Sequence, residues 1–318
     1  LHMEYGGSSH VGRSSTNPPG GDGLDGGQLS VTEMVNQSGV VSVAKYGDWS
    51  ESYIVDLFDW HLKVSESLPN FGGNAQWAFK DFATPLRPEN SLPYINQKGL
   101  VDRQGRPKEA YWVFKSYWTK TPAFCHIYGH SWTERQGEKG SAQQVRVYCN
   151  TDSAQLTLNG VALDKKTKDP ALFPASGLLW DVDFKEGENR LSVTGQSADG
   201  LEASDTLTIN YSEQAYGKLA DIRLSSKQLD DGLILIEAVA VDENGQRVHS
   251  SRERVYFSHT NAGTGGKLLE AYGTPDKSSI IEMANGYAGI LFEPSGDGGE
   301  AVIEVRSQSF KGAYIRLR

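Results

Sequence analysis

Leu1-His2-Met3-Glu4-Tyr5-Gly6-Gly7 opens the chain, and its reading decides the fold. Apolar residues lead to one acid, one aromatic and two glycines. The pattern predicts a short buried strand that ends in a carboxylate. The glycines let the backbone turn sharply and come close to a ligand. Residues 8–30, rich in Gly, Ser, Pro and Asp, follow as a long surface loop. His10 and Arg13 lie in it, placed either to reach a sugar hydroxyl or an anionic group beside Glu4, or to be solvated loop residues.

Working outward, residues 50–68 carry Tyr53, Ile54, Leu57, Phe58, Trp60, His61 and Val64 at helical spacing, with Ser50 as the N-cap. An aromatic stripe of this kind is expected to be core, Trp60 and His61 included. Residues 72–82 then read as a buried strand with a polar end, Trp77, Phe79 and Asp81 alternating onto one face. An indole beside a carboxylate suits a sugar, whose C–H face packs on the ring while its hydroxyls donate to the acid; the alternative is a core tryptophan. A proline-rich loop over 83–105 precedes a second helix opening near Pro107, with Ala110, Tyr111, Val113, Phe114, Tyr117 and Trp118 as its apolar stripe. Strand, loop, helix, strand, loop, helix implies two βα units and a parallel sheet.

After Pro122 the period changes from helical to alternating. Residues 145–149, 154–158, 178–184, 189–194 and 206–211 are short strands, and Asn159-Gly160 is a hairpin turn signal. A second series begins near Lys218, with a long strand over 233–241, the turn Asp242-Glu243-Asn244-Gly245, and further strands to residue 317. Each series has the size of an immunoglobulin-like sandwich. Neither shows a convergent acid, base or metal cluster, so structural packing is the expected role and glycan binding the runner-up.

The 318 residues carry a net charge of −9 and contain 22% charged and 38% hydrophobic residues. That is an ordinary globular composition, without the basic stripe a nucleic-acid partner needs. No apolar run is long enough to cross a membrane, and the chain does not open with a signal peptide. No Cys/His pattern has zinc spacing, and no cofactor is expected. Cys125 and Cys149 each fall on a strand; two buried free thiols are expected, with a disulfide as the alternative.

Four motifs in order carry a family resemblance. Glu4-Tyr5-Gly6, Trp77-Ala78-Phe79-Lys80-Asp81-Phe82, Asn96-Gln97-Lys98-Gly99-Leu100-Val101-Asp102-Arg103 and Pro107-Lys108-Glu109-Ala110-Tyr111 resemble the end of the catalytic barrel of family-2 glycoside hydrolases, the β-galactosidase and β-glucuronidase group. The first resembles the seventh-strand nucleophile motif, the second the eighth strand, and the last two the loop and start of the eighth helix. The stretch from Glu4 to Arg13 is similar to marine members that release galactose from agar or porphyran oligosaccharides.

The resemblance implies an α/β plus all-β chain. Residues 1–121 would be the last two βα units of a (β/α)8 TIM barrel. Residues 122–212 and 213–318 would be immunoglobulin-like β-sandwich domains. It implies a retaining exo-acting β-glycosidase, first a β-galactosidase on polysaccharide-derived oligosaccharides, alternatively a β-glucuronidase. Glu4 would be the nucleophile and Tyr5 its orienting neighbour. Trp77 would pack on the sugar, with Asp81, Asn96 and Lys98 contacting hydroxyls. Asn96-x-Lys98 also matches the triplet with which β-glucuronidases hold the sugar carboxylate. The acid/base Glu and six barrel strands have no counterpart, so the implied partner besides the oligosaccharide is the N-terminal portion of the same enzyme, and this chain alone should be inactive. The substrate class implies a periplasmic or secreted bacterial protein. The competing reading is a non-catalytic carbohydrate-binding or scaffold protein.

Overall fold

The computed structural model describes residues 1–9, 50–85, 95–214, 216–230, 232–249, 251, 253–269, 278–283 and 285–317. The chain divides into two compact units, Leu1–Asp81 with Gln97–Ala215, and Phe82–Asn96 with Tyr216–Arg318.

In the first unit, β1 (His2–Tyr5) pairs in parallel with β2 (Asn74–Gln76). The crossover between them contains α1 (Glu51–Ser67), as a parallel pair requires. Ser50 caps α1, its Oγ accepting from Tyr53 N at 3.0 Å. Of the predicted stripe, Tyr53, Ile54, Leu57 and Phe58 are almost fully enclosed, joined by Leu62, while Val64 is half-buried. Trp60 and His61 lie at the margin of this face, half-buried. The second unit holds the short antiparallel pair of β3 (Phe82–Ala83) and β4 (Ile95–Asn96). Back in the first, α2 (Glu109–Trp118) packs on α1 through Phe58 and Phe114, whose rings stand 5.0 Å apart, edge to face. The first backbone N–H of α2, that of Glu109, donates to Glu51 Oε1 from the start of α1 at 3.1 Å.

The rest of this unit is two sheets around a common core. Its strands are β5 (Cys125–Ile127), β6 (Glu134–Gln136), β7 (Gln143–Cys149), β8 (Ser153–Leu158), β9 (Val161–Ala162), β10 (Lys166–Thr167), β11 (Leu179–Val182), β12 (Gly187–Gln196) and β13 (Glu202–Ser212). One sheet runs β10-β8-β12-β13-β6 with β9 on β8, the other β11-β7-β5. The β8–β9 hairpin turns at Asn159-Gly160, both with positive φ (51° and 84°), the conformation that makes Asn-Gly favourable there.

The second unit also contains two four-stranded sheets. Its strands are β14 (Leu219–Gln228), β15 (Ile234–Asp242), β16 (Arg254–His259), β17 (Gly266–Leu268), β18 (Ser278–Glu282), β19 (Tyr287–Pro294), β20 (Ala301–Ser307) and β21 (Ala313–Leu317). They are ordered β14-β15-β19-β17 and β18-β16-β20-β21. Ile236, Phe257, Phe292 and Ile303 fill the space between. Asp242 Oδ1 closes the turn after β15 by accepting from Asn244 N and Gln246 N. Asp102 Oδ1 does the same for Gln104 N and Arg106 N in the first unit. Both turns carry glycine in the left-handed region, Gly105 and Gly245.

The helices and the first pair of sheets share one hydrophobic cluster running from Tyr5 to Tyr211, across the expected boundary at residue 121. One expectation is corrected here. The cysteines are not free thiols: Cys125 faces Cys149 across the β5–β7 ladder with Cα atoms 4.2 Å apart, and the two are bonded.

Candidate active site

Glu4 is placed by a defect in β1. Met3 pairs with Ala75 and Tyr5 with Gln76, so Glu4 is an extra residue in the ladder, with φ 54°. A bulge re-aims its side chain, and Glu4 stands exposed at the carboxyl end of a parallel strand, the end at which parallel α/β folds hold their chemistry. Gly6 follows at φ 125°; a Cβ there would meet the Phe58 ring at 2.8 Å. The chain can leave the strand this close to α1 only as glycine.

Tyr5, the expected orienting neighbour, is turned into the core while Glu4 is exposed. Its ring is buried against Phe58, His61 and Phe114, and its hydroxyl donates to Asn74 Oδ1 at 2.9 Å. Burial drives the phenol pKa up. Alternation along β1 turned it inward while the bulge turned Glu4 out.

Trp77 follows β2, and its N–H donates to Tyr5 O at 3.1 Å. Trp77 is 47% exposed and Phe79 64%, unlike the enclosed side chains of the core. The expected single face is corrected, because Asp81 is buried at 3%. The segment hydrogen-bonds instead to residues 98–101: Ala78 N to Lys98 O, Val101 N to Phe79 O and Asp81 N to Val101 O, at 2.9–3.1 Å.

Asp81 is enclosed rather than presented to a sugar. It accepts from Gly99 N at 2.7 Å and from Lys108 Nζ at 3.1 Å. Lys108 Nζ also donates to Gln97 O at 2.8 Å and to Ser9 O at 3.1 Å, so one buried ammonium ties the loop after Glu4 to the loop at 97–99. Burial pushes the Asp81 carboxyl up and the Lys108 ammonium down; each is held charged by the other. Gly99 allows the approach, since a Cβ would lie 2.2 Å from Asp81 N. Lys98 is half-buried in this unit, and Asn96, also half-buried, ends β4 of the other. His10 and Arg13 lie outside the described residues.

A second buried network was not anticipated. Glu109, in the first turn of α2, accepts from Gly129 N at 3.1 Å and Ser131 N at 3.2 Å, and its Oε2 lies 2.8 Å from His126 Nε2. Burial alone would raise this carboxyl, but the His126 bond and charge and the backbone donors hold it below the ordinary range. Its neighbour Glu51 is raised to about 7 by desolvation and by the Glu109 charge. Asp59, on α1, accepts from Tyr117 OH, Tyr148 OH and Ala175 N. In the sequence these acids look like the solvated face of a helix.

Comparison with known proteins follows the same lines. A family model described as a domain of unknown function, DUF4982, matches residues 140–204. The whole chain is 49% identical, over 320 aligned residues, to a putative β-glucuronidase of Formosa agariphila, of which it covers 38%. Its structure superposes over its full length on Parabacteroides merdae β-glucuronidase with a TM-score of 0.82 at 35% identity, covering 40% of that chain. It also superposes on Bacteroides uniformis β-glucuronidase 3 with a TM-score of 0.79 at 38% identity, covering 38% of that chain. The chain thus spans about two fifths of the length of these relatives, and its mostly β architecture with two described helices matches theirs.

Proposed function

We propose that this chain is part of a retaining β-glucuronidase of glycoside hydrolase family 2 and supplies its nucleophile, Glu4. The observation that carries the proposal is the left-handed bulge that turns Glu4 out at the carboxyl end of β1. The Glu4 carboxylate attacks the anomeric carbon while a second carboxyl group, about 5 Å away, protonates the departing oxygen. Water, deprotonated by that same group, then cleaves the glycosyl–Glu4 ester and restores both acids. The second carboxyl comes from barrel strands outside residues 1–318. Met3, Trp77 and Phe79, exposed around the two-stranded β1–β2 sheet, are apolar surface that such strands and the sugar ring would cover.

β-Galactosidase, the first expectation from the sequence, gives way to β-glucuronidase, since the full-length relatives carry that name. A glucuronide carries a carboxylate at C6 where a galactoside has a hydroxymethyl group, and Lys98 of the Asn96-x-Lys98 sequence triplet supplies a cation for it. The test uses the longest polypeptide that contains these residues. Glu4→Gln should lower kcat on an aryl β-glucuronide by ~10³-fold or more with KM little changed. Lys98→Ala should raise KM for the glucuronide and leave any β-galactoside turnover untouched. Surviving turnover in Glu4→Gln removes the nucleophile assignment. Faster hydrolysis of the β-galactoside by the parent enzyme restores the galactosidase reading.

A further inference from the structure

His126, His130 and Asp205 converge from two segments distant in sequence. We propose that they form a binding site for a divalent first-row transition cation, Zn2+ being the probe of choice. One donor atom from each residue lies within 4.8 Å of the other two. His130 Nε2 is 2.8 Å and His126 Nδ1 3.9 Å from Asp205 Oδ2. Tetrahedral ligands about 2.0–2.1 Å from zinc stand roughly 3.3 Å from one another. Two of the separations bracket that value; the third, between the two imidazoles, is within 4.8 Å, and because the two rings are stacked the exposed His130 ring turns out of the stack to complete the set.

The surroundings orient two of the three ligands, His126 and Asp205. His126 Nε2 faces the Glu109 carboxylate at 2.8 Å, and Glu109 is itself fixed by two backbone donors. With the proton on Nε2, the Nδ1 lone pair is directed toward Asp205. A carboxylate behind a histidine is the arrangement that fixes ring and tautomer in metal sites. The His126 ring is stacked between Trp112 and His130, each with its centroid 4.7 Å away. Asp205 is anchored through both oxygens, Oδ2 accepting from Ile127 N and Oδ1 from Thr206 N. Two imidazoles and one carboxylate suit zinc, nickel or copper rather than calcium or magnesium, which take oxygen donors. His130 is 37% exposed at its side chain, which leaves an entry path and an open coordination position for water. The site would fasten the turn after β5 to β13 and, through Glu109, to the start of α2.

Isothermal titration of the intact chain with Zn2+ at neutral pH tests the proposal, with Co2+ absorption as an independent readout. The expected result is one saturable site per chain, visible d–d bands with Co2+, and a rise in Tm with Zn2+. His130→Ala, a change at an exposed ring, should abolish all three while the circular dichroism spectrum stays that of the parent. Glu109→Gln should weaken Zn2+ binding about 10- to 100-fold. No saturable binding in Zn2+ excess, or equal stoichiometry in parent and His130→Ala, overturns the site and leaves these residues as a hydrogen-bond network only.

Discussion

Replacing Lys108 by Met removes one charge and keeps most of the volume. The Lys108 side chain is 2% exposed and that of Asp81 fully enclosed. In the variant the Asp81 carboxylate keeps the Gly99 N–H and loses its counter-charge, and Ser9 O and Gln97 O lose the ammonium donor. Breaking a buried ion pair from one side costs about 3–5 kcal/mol. Adding Asp81→Asn removes the stranded charge, so the double variant should lose only the neutral hydrogen bonds, about 1–3 kcal/mol in all. The double variant is therefore expected to be more stable than Lys108→Met alone, and urea unfolding of the four proteins measures the difference as a coupling energy. The pH dependence gives a second handle. Without Lys108, burial holds the folded-state pKa of Asp81 above its unfolded value of about 3.9. A group raised in the folded state contributes its stability below the unfolded pKa and loses it as pH rises through the folded one. Lys108→Met should thus be least damaging near pH 4 and most damaging near pH 7. A loss below about 1 kcal/mol at neutral pH, or single-variant losses that simply add, would refute the clamp.

Glu51, with its pKa raised to about 7 in the folded protein, contributes fully below about 4.5, and that contribution is lost as pH rises through 7. Glu51→Gln keeps an oxygen for the Glu109 N–H, so it should be more stable than the parent at pH 8 by at most ~3 kcal/mol and indistinguishable at pH 4; equal differences at both pH values would count against the buried acid. The Cys125–Cys149 bond spans 24 positions, and closing a loop of that size stabilises by about 3 kcal/mol. Urea unfolding with and without reductant should show that loss, and two titratable thiols in unreduced, unfolded protein would exclude the bond.

Much of this fold is written in local pattern. The stripe from Tyr53 to Val64 with Ser50 ahead of it gave α1, Asn159-Gly160 gave its hairpin, and the apolar run over 233–241 gave β15. Each depends on neighbours within a few residues, which the sequence displays directly. What was illegible depends on partners far along the chain. Asp81 alternates with Trp77 and Phe79, yet it is drawn inside by Lys108, 27 residues on. Cys125 and Cys149 had a disulfide only as the second reading until the β5–β7 register set them opposite. Glu4 was singled out for its position after a strand, but the bulge that turns it outward leaves no mark beyond the glycine that follows.

The same reasoning explains why a change of pattern near residue 121 is not a change of packing. Composition and period do change there, from helical stripe to alternating strand. Packing does not follow the change, because the acids of the helices find their partners among the sheets. Asp59 on α1 is satisfied by Tyr148 of β7 and the backbone of Ala175, Asp56 by Arg146 of β7, and Glu109 on α2 by His126 of β5. A buried carboxylate without such partners costs several kcal/mol, so neither layer is complete without the other. The helices that carry the Glu4 strand are held in place by strands that contain no expected site residue. A sandwich read as packing from its sequence is, in its energetics, the support of the candidate active site.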